Sequence, residues 1–269
     1  MCEPDRPQSR AVTATGQQTA SGSARWFGWA RRQPDSACVL FCLPYSGGGA
    51  SMYYGWQRLL GPRVEVAPIH LPGREDRDDE PLSHPAGVIA AAVAGRADRP
   101  YAIYGHSMGA WLGFEVIRAL RRQGARLPFR FYPAACLPPD VAWPFARCVD
   151  LPDDDFLSVL VERLNAPAEV WTMPELRELV LPVLRADFAW TAGYQYQAEP
   201  PLAVPLVGLA GAADAEAGPS SMAGWSRHTS SSFRLHTLPG DHFFLRSAAA
   251  AVTSLLSTDL RQALGEGTQ

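Results

Sequence analysis

Ser107 is the residue whose surroundings in the sequence most clearly suggest chemistry. It stands at the centre of G-H-S-M-G (105–109), after an apolar segment (101–104) that predicts a strand and before a pattern that predicts a helix. A strand-to-helix turn this tight strains the backbone of the serine and raises its hydroxyl above the edge of the sheet. The glycines are needed because a Cβ there would collide with the neighbouring strand or helix. The segment therefore predicts a nucleophilic serine.

A serine hydroxyl is a weak nucleophile at neutral pH, so this prediction requires a histidine base and a carboxylate that orients it. After such a turn, the acid and then the histidine follow in the chain. Asp214 lies just past a predicted strand (204–210), and His242 lies just past the last predicted strand (233–238). Because parallel strands end at one edge of their sheet, we expect both side chains to lie beside the serine.

The other acids and histidines fit these positions less well. Asp241 adjoins His242 and cannot easily reach its neighbour's ring in the required geometry, which leaves Glu216 and Asp187 as alternative acids. His106 is inside the turn, with its side chain directed away from that of the serine. The remaining histidines precede the turn, or lie in a predicted strand or a polar segment: His70, His84, His228 and His236. We therefore retain the acid and the histidine that follow the two strands.

A glycine-rich loop, P-Y-S-G-G-G (44–49), follows the first buried strand pattern (38–43). Such a loop could cradle a phosphate, but the lysine and second glycine of a P-loop are missing. In a serine hydrolase the same loop supplies backbone N–H groups that hold the oxyanion of the reacting carbonyl. We expect the oxyanion hole to consist of the N–H group of Met108 together with that of Ser46 or Tyr45.

The order of predicted elements indicates the fold class. Strands and helices alternate up to a strand at 129–137, as in a parallel sheet with right-handed crossovers. Residues 151–196 then show only amphipathic helical patterns, before two further strands and a final helix at 248–264. With the serine turn, this order predicts an α/β fold of the α/β-hydrolase type, a mostly parallel central sheet flanked by helices with an all-helical lid.

Further expectations concern single elements. A first, edge strand is possible near Trp26 and Phe27, ended by Pro34, and 53–60 predicts a helix. The aromatic residues of the lid are expected either to form its core or to line an acyl tunnel: Trp171, Phe188, Trp190, Tyr194 and Tyr196.

Composition excludes several classes of protein. The chain has 269 residues, 47% of them hydrophobic, and a formal net charge of −3, so it has no basic excess for nucleic acid. No apolar segment approaches the length of a membrane span. The five cysteines form no C-x-x-C pair, which favours a reducing cytoplasm. We predict a disordered leader (1–24), one domain (25–269), a monomer, and no cofactor or metal of its own.

Five motifs together resemble the type II, or editing, thioesterases of polyketide and nonribosomal peptide synthesis. The likeness runs from about residue 39 to 256, and the motifs fall in the family's order: L-P-Y-S-G-G (43–48), L-P-G-R-E (71–75), G-H-S-M-G (105–109), L-P-V-L-R-A-D-F (181–188) and G-D-H-F-F-L (240–245). The resemblance implies a discrete hydrolase that removes aberrant or stalled acyl groups from the phosphopantetheine arm of an acyl or peptidyl carrier protein. It also implies that Ser107, Asp214 and His242 are the triad.

Two positions depart from the family's pattern. The family usually has alanine where Ser46 stands, a change that keeps the backbone N–H donor and adds a hydroxyl. The turn at Asp214 lacks the proline that often follows the aspartate.

The residues alone leave alternatives open, because a serine, an acid and a histidine equally describe a carboxylesterase, a lipase or a medium-chain fatty acyl thioesterase. An acyltransferase or cyclising thioesterase would use the same groups, with an amine or hydroxyl in place of water. A catalytically silent carrier-binding module is a further alternative, although binding alone requires none of the three residues. A basic stretch suggests either a docking site for an acidic carrier or a solvated helix face: Arg118, Arg121, Arg122 and Arg126.

Overall fold

The computed structural model describes residues 25–28, 30–81, 83–164 and 172–265. Its described part contains a six-stranded sheet in which every neighbouring pair of strands is parallel, in the order β2-β1-β3-β4-β5-β6. The strands are β1 (Cys38–Leu43), β2 (Val64–Pro68), β3 (Tyr101–His106), β4 (Arg130–Ala134), β5 (Leu206–Gly211) and β6 (Phe233–Leu238). The predicted leader (1–24) lies outside the described residues.

Helices cover both faces of the sheet and continue beyond its carboxyl edge. They are α1 (Trp56–Leu60), α2 (Ala86–Arg96), α3 (Met108–Arg122), α4 (Asp153–Leu164), α5 (Pro174–Gly193), α6 (Pro219–Met222), α7 (Phe244–Ser247) and α8 (Ala249–Ala263). Short 3₁₀ turns occur at Ala50–Tyr53, Glu75–Arg77, Ala146–Asp150 and Ala223–His228. The predicted α/β architecture with a mainly parallel sheet is confirmed.

The alternation of side chains along β1 shows why the sheet is covered on both sides. Val39 and Phe41 belong to the apolar cluster that includes α2 and α3, whereas Leu40 and Cys42 belong to the cluster on the opposite face, with α1 and α8. All six residues of β1 are buried. Because each large apolar side chain contributes about 1.5–3 kcal/mol when fully buried, both layers of helices are needed to keep this strand out of water.

A third apolar cluster lies in the helical region that was predicted as a lid. Phe156 and Leu160 of α4 pack with Leu184 and Phe188 of α5 and with Phe145. Among the described residues of 151–196, none is in a strand. Helix α5 contains a proline at position 182, which has no N–H to donate to the preceding turn.

Two local predictions differ from the structure. Residues 25–28 form turns instead of an edge strand, although Trp26 and Phe27 are buried and the carbonyl of Trp26 accepts the N–H of His70 at 2.8 Å. The predicted helix at 53–60 is divided, because Gly55 adopts a left-handed conformation with φ of 86° between the 3₁₀ turn and α1.

In the described ranges, none of the helices has both the length and the apolar composition that crossing a membrane requires.

Candidate active site

The turn at Ser107 has the strained geometry that its sequence predicts. Ser107 lies between β3 and α3 with φ of 53° and ψ of −121°, in a region that residues with a side chain rarely adopt. A Cβ at Gly105 would lie 2.2 Å from the carbonyl oxygen of Gly109, and one at Gly109 would lie 2.4 Å from that of Leu43. Only glycine fits at these two positions. The two glycines therefore allow the tight turn that holds Ser107 above the edge of the sheet.

Ser107, His242 and Asp214 form one chain of hydrogen bonds at the carboxyl edge of the sheet. The Oγ–H of Ser107 donates to Nε2 of His242 at 3.0 Å, and the Nδ1–H of His242 donates to Oδ2 of Asp214 at 2.9 Å. This assignment of protons follows from the partners, since the carboxylate can only accept. The structure thus brings the three predicted residues together in the order that nucleophilic catalysis requires.

The turn after β5 holds Asp214 in its ionised form. Its second oxygen, Oδ1, accepts the backbone N–H groups of Glu216 at 3.0 Å and Ala217 at 2.9 Å. Burial acts to raise the pKa of this carboxyl, but the hydrogen bonds from His242 and from the two N–H groups outweigh it and lower the pKa. The proline that this turn lacks is therefore not needed to shape it, because the carboxylate itself closes the turn.

The other candidate acids have partners of their own. Oδ1 of Asp241 accepts the N–H of Phe243 at 2.8 Å. Glu216, an alternative acid, accepts the Nε–H of Arg163 at 2.7 Å. Asp187, the second alternative, accepts hydrogen bonds from Arg74, His84 and Gly47 and is described below.

Two of the other histidines lie beside carboxylates. His228 hydrogen-bonds with Asp140 at 2.8 Å. Nε2 of His70 lies 2.9 Å from an oxygen of Asp76 without the geometry of a hydrogen bond.

His106 supports the site in a way that the sequence did not reveal. Its ring is fully buried, and its Nε2–H donates to the backbone carbonyl of His242 at 2.7 Å, while the hydroxyl of Tyr104 donates to Nδ1 at 3.1 Å. Burial, followed by the nearby His242, lowers the pKa of His106 from 6.5 to about 3. A neutral imidazole therefore fixes the backbone of the predicted base. Only the fold brings residues 106 and 242 together, so no spacing in the sequence signals this contact.

The predicted oxyanion donors and the serine line one cavity of about 250 Å³. Tyr45, Ser46 and Met108 are among its wall residues, together with Ser107 and His242. Met108 is the first residue of α3, where backbone N–H groups are free of the helix's own hydrogen bonds and the helix dipole is positive. The arrangement suits an oxygen that gains negative charge beside the serine.

Helices α4 and α5 close the cavity with apolar side chains. Leu160, Leu164, Val180, Leu184 and Phe188 line it from this side. Of the aromatic residues predicted either to form the lid core or to line an acyl tunnel, Phe188 does both, since it belongs to the lid cluster and to the cavity wall. The others pack elsewhere, Trp190 on His84, Tyr194 stacked at 4.8 Å on Trp111, and Tyr196 against Phe114 and His228. Trp171 lies outside the described residues.

Three of the four arginines of the basic stretch lie on α3 and pair with carboxylates of the same chain. The side chain of Arg118 is only 2% exposed and pairs with Glu115 at 2.8 Å and with Glu199 at 2.7 Å. Arg121 and Arg122 also contact Glu199, at 2.6 and 2.8 Å. Glu199 therefore links these three side chains to the segment before β5, whereas Arg126 lies beyond the end of α3.

Over the described ranges, no group of three or more His, Cys, Asp and Glu side chains is arranged to hold a metal ion.

Comparison with known proteins identifies the family of this chain. A family model described as "Thioesterase domain" matches residues 39–260. Linear gramicidin dehydrogenase LgrE of Brevibacillus parabrevis is 35% identical over 255 residues, which cover 92% of this chain and 97% of LgrE. The solved structure of the RedJ thioesterase from the prodiginine pathway of Streptomyces coelicolor superposes with a TM-score of 0.78 at 33% identity, covering 84% of this chain and 92% of RedJ.

A second solved structure, the type II thioesterase BorB from the borrelidin biosynthetic cluster, has a TM-score of 0.73 at 30% identity and covers 86% of this chain and 94% of BorB. The chain belongs to the thioesterase family, and it is a thioester hydrolase of the α/β-hydrolase fold. The predicted resemblance to the type II thioesterases is confirmed over the carboxylesterase alternative.

Proposed function

We propose that the enzyme hydrolyses aberrant or stalled acyl groups from the phosphopantetheine arm of acyl or peptidyl carrier proteins, with Ser107 as the nucleophile. The observation that carries this proposal is the hydrogen-bonded chain from Ser107 through His242 to Asp214, inside an apolar cavity of a thioesterase-family protein. Small acyl thioesters would be substrates of the same site. The reaction needs no cofactor of its own, because the arm belongs to the carrier.

In the first half of the reaction, His242 accepts the proton of Ser107 on Nε2 as Oγ attacks the thioester carbonyl. The resulting imidazolium keeps its Nδ1–H on Asp214, whose lowered pKa leaves the carboxylate charged to receive it. The N–H groups of Met108 and of Ser46 or Tyr45 hold the oxyanion. When the carbon–sulfur bond breaks, His242 returns the proton to the departing thiolate.

In the second half, water replaces the thiol. His242 removes a proton from a water molecule as the water oxygen attacks the acyl-enzyme carbonyl, and the same N–H groups hold the second oxyanion. When the bond between the acyl carbon and Oγ breaks, His242 returns the proton to Oγ, which releases a carboxylic acid and restores the serine hydroxyl. The apolar side chains of α4 and α5 would surround the acyl chain during both halves.

The experiment compares release of a short acyl group from a carrier protein by the wild type, Ser107→Ala and the surface control Ser254→Ala, an exposed position on α8. We expect the wild type and Ser254→Ala to release the acid, and Ser107→Ala to lose at least about 10⁴-fold in kcat. Cleavage of simple oxygen esters without release from the carrier would instead favour a general esterase. An active Ser107→Ala would contradict the mechanism.

We infer a cytoplasmic monomer as the state in which this enzyme works. The structure describes four cysteines, all with free thiols, and three of these are buried among apolar residues, which suits a reducing compartment. Size-exclusion chromatography with light scattering would test the oligomeric state.

A further inference from the structure

Two of the sequence motifs, L-P-G-R-E (71–75) and L-P-V-L-R-A-D-F (181–188), have no part in the mechanism above. The structure joins them through Asp187, a carboxylate on α5 with no exposed surface. Arg74 donates to both of its oxygens, at 2.8 and 2.7 Å, and the Nε2–H of His84 donates to Oδ1 at 2.7 Å. The fourth donor is the backbone N–H of Gly47, which reaches Oδ2 at 2.7 Å.

This carboxylate is committed to its ionised form. Burial acts to raise the pKa of Asp187, but the hydrogen bonds from His84 and Arg74, with the charge of Arg74, outweigh burial and lower the pKa. A buried ion pair with bidentate geometry has little freedom to move, since any departure leaves a charge without a partner in an apolar surrounding. Asp187 therefore acts as a fixed acceptor and holds whatever donates to it.

The group that it holds belongs to the glycine-rich loop. Gly47 directly follows Tyr45 and Ser46, the residues proposed as oxyanion donors, and it has a left-handed φ of 80°. Arg74 also donates to the carbonyl of Gly48 at 2.9 Å, so one guanidinium bridges Asp187 and this loop.

The end of the loop is fixed by the residue that follows Arg74. The carboxylate of Glu75 accepts the N–H groups of Ala50 at 3.0 Å and Ser51 at 2.9 Å. A Cβ at Gly49 would lie 2.3 Å from Oε1 of Glu75, so a side chain at position 49 would displace this carboxylate.

Helix α5 also packs directly on the loop. A Cβ at Gly47 would lie 2.6 Å from Cδ2 of Leu184, one helical turn before Asp187. The part of α5 after Pro182 carries the helix's buried residues, whereas Leu176 and Leu179 before it are exposed. The two halves of the helix thus have different roles, and the second half is bound to the loop.

We propose that Asp187, fixed by Arg74 and His84, is a positioning residue that sets the backbone of residues 45–48 and so aims the oxyanion N–H groups at the thioester carbonyl. This inference rests on the proposed roles of Ser107 and of the Tyr45–Ser46 backbone. Asp187 touches neither the substrate nor the reacting atoms, and it acts through the N–H group of Gly47.

The test replaces Asp187 by asparagine, whose NH₂ group must face two of the four donors, since each carboxylate oxygen accepts two hydrogen bonds. Glu65→Gln is the matched control, because Glu65 is also fully buried, accepts two hydrogen bonds from Arg96 at 2.9 and 3.0 Å and accepts the backbone N–H of Gln33 at 2.7 Å, but it lies on β2. We expect Asp187→Asn to lower kcat by ~10–100-fold with KM within about threefold. The control should lose thermal stability to a similar degree and keep its kcat.

A second readout separates the oxyanion hole from general damage. A trifluoromethyl ketone analogue of the acyl thioester adds Oγ of Ser107 to its carbonyl and places an oxyanion in the hole, whereas the matched thioether without a carbonyl only fills the cavity. In Asp187→Asn, we expect the affinity for the ketone to fall ~10-fold or more, in parallel with kcat/KM, and that for the thioether to change less than twofold. Equal loss for both ligands would overturn the proposal, as would a kcat loss that Glu65→Gln shares.

Two further variants keep the test decisive. If Asp187→Asn does not fold, Arg74→Lys keeps the charge but loses the two-pronged contact, and the same selective loss of ketone affinity is expected on a smaller scale. Ser107→Ala is assayed beside them. A normal Asp187→Asn with an inactive Ser107→Ala would refute this inference alone, and an active Ser107→Ala would refute the proposed function itself.

Discussion

The molecule contains two buried pairs of aspartate and histidine, Asp214 with His242 and Asp187 with His84, for which we propose different roles. Asp214 and His242 are 2.9 Å apart, and Asp187 and His84 are 2.7 Å apart. The carboxylates of both pairs are buried, and in both the pKa of the aspartate is lowered by hydrogen bonds that outweigh burial. Distance and burial therefore do not separate the proposed catalytic pair from the proposed positioning pair.

The difference lies in the remaining contacts of each pair. The second nitrogen of His242 faces the Ser107 hydroxyl at 3.0 Å, so a proton can move through the ring. The ring of His84 instead packs on Trp190, with centroids 5.0 Å apart. Besides the histidine of its pair, Asp214 accepts hydrogen bonds from backbone N–H groups. Asp187 also accepts hydrogen bonds from the guanidinium of Arg74, which stays protonated at all ordinary pH values. An arginine fixes a carboxylate in place, and a histidine between an acid and a hydroxyl lets it assist proton transfer.

The largest effect that would test this comparison is expected for Asp214→Asn. The amide would stabilise the wrong tautomer of His242 and could not balance the imidazolium, so we expect kcat to fall by ~10⁴-fold. The matched control is Asp140→Asn, since Asp140 also pairs with a histidine, His228, at 2.8 Å but does not line the cavity. Steady-state kinetics on an acyl thioester measures both. Similar losses in the two variants would mean that the Asp214 pair has no special role.

A smaller effect is expected from His106, a buried histidine with no carboxylate partner. Burial lowers the pKa of His106 to about 3 in the folded protein. Between about pH 6.5 and pH 3, the imidazole is therefore protonated in the unfolded chain and neutral in the folded one. Stability is therefore lost as the pH falls from about 6.5 toward 3, by about 2 kcal/mol at pH 5 relative to pH 7. Urea unfolding at both pH values should show this drop in the wild type and a correspondingly smaller one in His106→Gln.

The control for that measurement is His236→Gln, on the partly exposed strand β6. It should lose as much stability between pH 7 and pH 5 as the wild type does. An equal drop in His106→Gln and the wild type would show that the buried ring does not resist protonation.

The smallest effect is expected for His84→Phe, which keeps a ring against Trp190 but removes one of the four donors to Asp187. We expect a ~2–10-fold lower kcat, since Arg74 and Gly47 still hold the carboxylate. His84→Gln keeps a donor and should recover most of the loss. A loss as large as that of Asp214→Asn would show that the two pairs are functionally alike, contrary to the comparison.

The sequence predicted the parts of this molecule whose geometry is encoded locally. The G-H-S-M-G turn is an example, because glycines at positions 105 and 109 are the only residues that its close backbone contacts allow. The acid and the histidine that follow β5 and β6 were predictable because parallel strands end at one edge of their sheet. The edge strand near Trp26 was wrong, because burial of its side chains does not require a strand partner.

What only the tertiary structure decided concerns residues far apart in the chain. From the sequence, Asp187 was a possible acid of the triad. It is 140 residues from Gly47 in the chain, but the fold brings its Oδ2 within 2.7 Å of the backbone nitrogen of Gly47. The sequence also gave no sign that Glu199 pairs with Arg118, Arg121 and Arg122, since it lies 77 to 81 positions further along the chain. A sequence fixes which groups can carry charge or a proton. Their roles depend on which partners packing brings within hydrogen-bond distance, and long-range packing leaves no periodic signal in the sequence.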